Sequence, residues 1–65
     1  MDLGERIKAE REKRGWSVYR LAKGSRVSQD TIARIEKGIG KPSLLVRLAL
    51  AEILSLNPET FEPLE

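Results

Sequence analysis

Residues that start helices and residues that stop them alternate so closely along this chain that no helix in it can run past about three turns. Gly15, Gly24 and Gly38 follow apolar positions of helical spacing, and Ser17, Ser28 and Ser43 each precede a new set. A small side-chain oxygen at such a position accepts from the exposed amides of the next helix, whereas glycine tolerates the left-handed turn that ends one. Nothing alternates with the period of a strand, and no internal repeat occurs. The punctuation predicts an all-α chain.

Five helices are expected. The first runs from about Leu3 to Arg14, with Leu3 and Ile7 inward. A second begins after Ser17, buries Leu21 and Ala22, and ends near Lys23, with Gly24 close behind. A third spans about Ser28 to Lys37, with Ile32 and Ile35 facing the core. Beyond Ile39-Gly40-Lys41-Pro42, Ser43 opens a fourth helix whose inner face is expected to carry Leu44, Leu48, Ala51 and Leu54. Asn57-Pro58-Glu59 then supplies a cap, a first-turn proline and an acid for a short fifth helix containing Phe61. Trp16 and Phe61 lie at helix junctions, where apolar side chains close a core, and are read as core rather than as stacking platforms for bases. Only about four residues, Gly24 to Val27, separate the second helix from the third, a sharp turn that fits helix-turn-helix geometry.

Size and composition narrow the function. Sixty-five residues make one domain, 1–65. With no Cys and no His, disulfides, thiolate or imidazole metal sites and His-activated nucleophiles are excluded, and no cofactor is expected. The ten carboxylates are scattered among Lys and Arg on polar faces, which argues against an enzyme. The first residues lack the apolar core of a signal peptide, and no apolar run approaches the ~18 residues of a membrane span, so a cytoplasmic protein without a membrane partner is expected. Net charge is only +2 but unevenly spread. Residues 17–41 carry Arg20, Lys23, Arg26, Arg34, Lys37 and Lys41 against Asp30 and Glu36, whereas residues 42–65 carry Arg47 against four glutamates. The middle is basic and the tail acidic.

The ordered set Leu3-Gly4-Glu5-Arg6-Ile7, Arg11, Gly15, Ser17, Leu21-Ala22-Lys23, Ser25, Val27-Ser28-Gln29, Thr31-Ile32, Arg34-Ile35-Glu36 and Pro42-Ser43-Leu44 resembles the phage repressor and Cro class of helix-turn-helix domains, often called XRE-like. The likeness covers about residues 3–61. It implies a compact five-helix domain of the lambda-repressor-like type, with helices two and three as the helix-turn-helix. It also implies a sequence-specific regulator of transcription, a repressor above all, that binds double-stranded DNA near the nucleoid.

In such domains the third helix enters the major groove while the second crosses the backbone. Carried over, the base-reading positions fall on Ser28, Gln29, Asp30 and Arg34. Gln pairs with adenine N6 and N7, and Arg with guanine O6 and N7, both in bidentate fashion. Asp30 and Arg34 also stand four apart with the acid first, so a plain helix salt bridge is the competing reading for Asp30. Phosphate contacts are expected from Tyr19 and Arg20 at the start of the second helix, and from Lys41 and Ser43 before the fourth. The resemblance further implies an ion pair between Arg11 and Glu36, and a homodimer that sets two reading helices about 34–36 Å apart.

Four positions before the third helix depart from the family pattern. Val18 replaces a phosphate-binding Gln, and Arg20 replaces the Glu of a capping box. Glu10 stands where an apolar residue is usual, which predicts looser packing of the first helix. Arg26 replaces a turn glycine, so either Arg26 is left-handed or Gly24 takes up the bend. On the fourth helix, Leu45, Ala49 and Ile53 form a second apolar stripe where the family carries polar residues, and this stripe is the expected dimer interface. The competing explanation is a C-terminal tail folded over it. A protein-interaction module of the same fold, as in antitoxins or co-regulators with a protein partner, is the alternative function.

Overall fold

A computed structural model describes residues 3–56, and within them the chain forms α1 (Leu3–Lys13), α2 (Val18–Ser25), α3 (Gln29–Glu36) and α4 (Leu44–Ile53). The fifth helix expected around Phe61 lies outside the described residues. The serines act as read: Ser17 Oγ accepts from the Arg20 amide at 3.0 Å, Ser28 Oγ from Thr31 at 3.1 Å and Ser43 Oγ from Val46 at 3.2 Å. A cap of this kind contributes about 1 kcal/mol.

Three of the four helix ends follow one device. After α1, the Gly15 amide donates to the Glu12 carbonyl and the Trp16 amide to that of Arg11, with Gly15 at φ 71. After α3, Gly38 donates to Ile35 and Ile39 to Arg34, with Gly38 at φ 76. After α4, Ser55 donates to Glu52 and Leu56 to Ala51, with Ser55 at φ 57. Each pair of bonds is a Schellman closure, which satisfies carbonyls that the helix leaves open. α2 ends differently. It runs two residues beyond the expected Lys23, through Gly24 and a buried Ser25, before Arg26 turns left-handed at φ 64 and donates its amide to the Ala22 carbonyl. The bend is therefore made by Arg26, and Gly24 remains helical.

Ile7, Leu21, Ile32, Leu50 and Leu54 are completely buried and form the centre of the core, with Ala22, Val27, Ile35 and Ala51 around them. α3 packs on α1 and α2, and α4 packs on α2. The first turn of α1 approaches α3 through Gly4, where a β-carbon would overlap the Ile35 carbonyl oxygen. Trp16 and Val18 pack against the core from the α1–α2 junction, so the side chain at position 18 is structural.

The inner face of α4 differs from the expected one. Leu44 and Leu48 are exposed, whereas Leu50 is completely buried beside Ala51 and Leu54. Val46, Ala49 and Ile53 pack against that core. The face turned to α2 thus follows Val46, Ala49–Leu50 and Ile53–Leu54, a three-four spacing rotated from the predicted stripe. Of the expected dimer stripe only Leu45 is exposed, and Ile53 lies against Gly24 of α2.

Glu10, expected to loosen α1, is instead secured. Arg14 Nη1 donates to its carboxylate at 2.8 Å, and Arg14 Nη2 reaches the Leu54 carbonyl at the end of α4 at 2.6 Å. A cation at a helix C-terminus is electrostatically favoured, so one guanidinium ties α1 to α4. The hydrogen bond from Arg14, helped by the charges of Lys13, Arg14 and Arg6 against some desolvation, holds the Glu10 carboxyl below its ordinary value.

Candidate nucleic-acid interface

α3 is divided lengthwise. Ile32 and Ile35 anchor one side in the core, and Gln29, Asp30 and Arg34 stand exposed on the other, with Lys37 exposed where the helix ends. Its first turn is held by Ser28, whose hydroxyl accepts the Thr31 amide and donates to Thr31 Oγ1 at 2.8 Å.

Asp30 Oδ2 lies 3.1 Å from Arg34 Nε, an exposed ion pair across one helical turn. An exposed pair of this kind contributes about 0.2–0.5 kcal/mol to the helix, so its larger effect is geometric. With Nε engaged, the two terminal nitrogens of Arg34 form the free edge of the fork, the edge that matches guanine O6 and N7.

The linker after α3 continues this surface. Asp30, Thr31 and Arg34 on the helix face Ile39, Lys41 and Pro42 across a cleft of about 200 Å³. Lys41 and Ser43 are both exposed, and Ser43 caps α4. Of the residues singled out by sequence, Asp30, Arg34 and Lys41 therefore line a common cleft. Tyr19 and Arg20 belong to the start of α2, and both are exposed. The Arg20 guanidinium lies 5.3 Å from the centre of the Trp16 ring and Arg14 lies 5.7 Å from it, while Lys23 sits 5.7 Å from the Tyr19 ring. Cation–aromatic contact thus compensates for the cation that the α2 dipole disfavours at position 20.

A buried pair braces α3 from behind. Arg11 Nε donates to Glu36 Oε2 at 2.7 Å and Nη2 to Oε1 at 2.9 Å, with only 11% and 9% of the two side chains exposed. Arg11 Nη1 also donates to the Trp16 carbonyl at 2.8 Å. The Glu36 hydrogen bonds raise the Arg11 pKa above its ordinary value, against a smaller desolvation effect. One side chain therefore joins α1, the α1–α2 junction and the end of α3.

Sequence reasoning passed over three residues that shape this region. Gly4 sets the approach of α1 to α3, Arg14 ties α1 to α4, and Ile39 forms an apolar wall of the cleft. Arg14 had a visible signal in Glu10 four residues earlier, and Ile39 in being the one apolar residue between Lys37 and Lys41. Gly4, inside a helix, had no signal beyond its place in the set that carries the family resemblance. The expected α4 stripe divides: Leu45 is 78% exposed, while Ala49 and Ile53 are half buried and flank a groove of about 360 Å³ shared with Gly24, Arg26 and Glu52.

Among the described residues no helix is long and apolar enough to cross a membrane, and no cluster of acidic side chains is arranged to hold a metal ion. No curated protein matches the sequence as a relative. A helix-turn-helix family model matches residues 7–61, which takes in α2, α3, the turn between them and the core that supports them. With that match over most of its length, the chain belongs to the XRE-like helix-turn-helix family of DNA-binding domains.

Proposed function

We propose that residues 1–65 act as one DNA-binding domain, a sequence-specific transcriptional repressor that lays α3 in the major groove of duplex DNA. The observation that carries this reading is the division of α3: its inner side is fixed in the core and braced by Arg11–Glu36, while Gln29 and Arg34 project free hydrogen-bonding edges beside a basic linker. Gln29 reads adenine and Arg34 reads guanine, each pairing discriminating by about 1–3 kcal/mol. Asp30 holds Arg34 in position, and Ser28 caps the helix. Tyr19, Arg20, Lys41 and Ser43 contact phosphates and set the register. The protein works in the cytoplasm on nucleoid DNA without a cofactor and without catalysis. It binds as a homodimer paired through the α4 side that carries Leu45, placing two α3 helices one DNA turn apart.

A second reading has its own support. Leu44, Leu45 and Leu48 form an exposed apolar group on α4, which suits a protein-interaction module of the antitoxin or co-regulator kind. Selection of binding sites from a random duplex pool, followed by salt titration, separates the two. A repressor loses affinity steeply with salt, by about one counterion per phosphate contacted. Arg34→Ala then relaxes preference at one base pair, whereas Lys41→Ala weakens all sequences alike and flattens the salt slope. Equal effects of both variants on every site reject the assignment.

A further inference from the structure

We infer that Ile39 is a further specificity-determining residue, which reads the C5 methyl group of a pyrimidine next to the base pair met by Arg34. The inference rests on the DNA-reading function proposed above. Three helices end in the same Schellman closure, and each places an apolar residue just past its left-handed turn: Trp16 after α1, Ile39 after α3 and Leu56 after α4. Such a residue ordinarily folds back on the helix it follows. Trp16 and Leu56 do so and pack against the core. Ile39 does not. It is 55% exposed and stands apart from the core cluster.

Its position is nevertheless fixed. The Ile39 amide donates to the Arg34 carbonyl at 2.9 Å and the Gly38 amide to Ile35 at 3.0 Å, so Ile39 moves with the last turn of α3. It forms an apolar wall of the cleft whose other walls include Asp30, Thr31, Arg34 and Lys41. The surroundings decide what approaches. Lys37, Arg34 and Lys41 are exposed around it, which favours a polyanion over an apolar protein segment. Among the base edges displayed in the major groove, the one apolar group is a methyl on pyrimidine C5, carried by thymine. Methylated cytosine carries the same group. Arg34 and Ile39 would thus act on adjoining pairs, one through hydrogen bonds and the other through apolar contact.

The test uses the full chain and the duplex that it selects from a random pool. Each thymine is replaced in turn by deoxyuridine, which removes only the methyl, and each cytosine in turn by 5-methylcytosine, which only adds one. The inference expects one position at which the methyl changes affinity about fourfold, the size of one buried carbon group. Loss at a thymine identifies thymine as the natural source, and gain at a cytosine identifies the methylated base. Ile39→Ala removes the methyl preference at that position and keeps the salt slope, while Ile39→Val retains most of both. A wild-type protein indifferent to every methyl, or an Ile39→Ala protein that discriminates as the wild type does, overturns the inference while leaving DNA reading intact. Absence of salt-sensitive duplex binding by the folded wild type overturns both.

Discussion

Arg11 and Glu36, 25 residues apart in sequence, close two hydrogen bonds on one another behind α3. Removing one partner of a buried pair leaves an uncompensated charge, at about 3–5 kcal/mol. Glu36→Ala is expected to fall in that range, and Arg11→Ala to exceed it, because the Trp16 carbonyl also loses its donor. In a double-mutant cycle by denaturant unfolding, the coupling should lie at the upper end of the roughly 0.5–3 kcal/mol found for contacting residues. Additive single effects would mean that the pair contributes nothing to the fold.

Two glycines should respond oppositely to a methyl group. At Gly4 the added carbon meets backbone, the Ile35 carbonyl, which cannot swing aside. Gly4→Ala is therefore expected to destabilise by about 1–3 kcal/mol, as overpacked sites do. At Gly24 the same carbon lies 3.0 Å from Ile53 Cδ1, the end of a movable side chain, and a helical Gly→Ala change returns about 0.5–1 kcal/mol. Gly24→Ala should be neutral or slightly stabilising. Thermal unfolding of the two variants side by side checks the contrast.

Arg26 and Ser55 occupy left-handed backbone at φ 64 and φ 57. That conformation costs an L-residue roughly 1–2 kcal/mol, part of which glycine would give back through a more flexible unfolded chain. Arg26→Gly and Ser55→Gly should each stabilise by about 0.5–1 kcal/mol, which for a domain this small is a rise of some 4 °C in Tm. A fall in Tm at Arg26 would show that its side chain contributes more than its backbone costs.

The Glu10 carboxyl is held below its ordinary value of 4.5 by the Arg14 hydrogen bond. A depressed folded pKa means that the ionised form favours folding, so this contribution is complete above pH 4.5 and is lost as pH falls through the lowered folded value. Wild type and Glu10→Gln should therefore differ in stability at neutral pH and converge in acid. A constant gap at every pH would rule out the titration of Glu10 as its source.

Much of the α1 to α3 frame was legible because its signals are local. A serine before an apolar set marks a cap regardless of what the rest of the chain does, and Ile32 and Ile35 stand out against polar neighbours. α4 offered no such contrast. It is apolar everywhere except Arg47 and Glu52, so periodicity could not distinguish Leu48 from Leu50, and contact with α2 decides which is buried. The conformation of Arg26 was likewise undecided by sequence, since Gly24 or Arg26 could each have made the bend. In the candidate site, the family resemblance pointed to Asp30, Arg34 and Lys41. The exposure of Ile39 depends on the path of the linker, which no periodicity encodes.

The lengthwise division of α3 bears on how such a domain diversifies. Gln29, Asp30, Arg34 and Lys37 lie outside the buried core, so replacements there change folding stability little. The brace from α1 holds the helix in one pose whatever those positions carry. A lineage could therefore drift from one DNA target to another by surface substitution alone, without passing through unfolded ancestors. Duplicated copies would then part company in the addresses they answer to well before they diverge in shape.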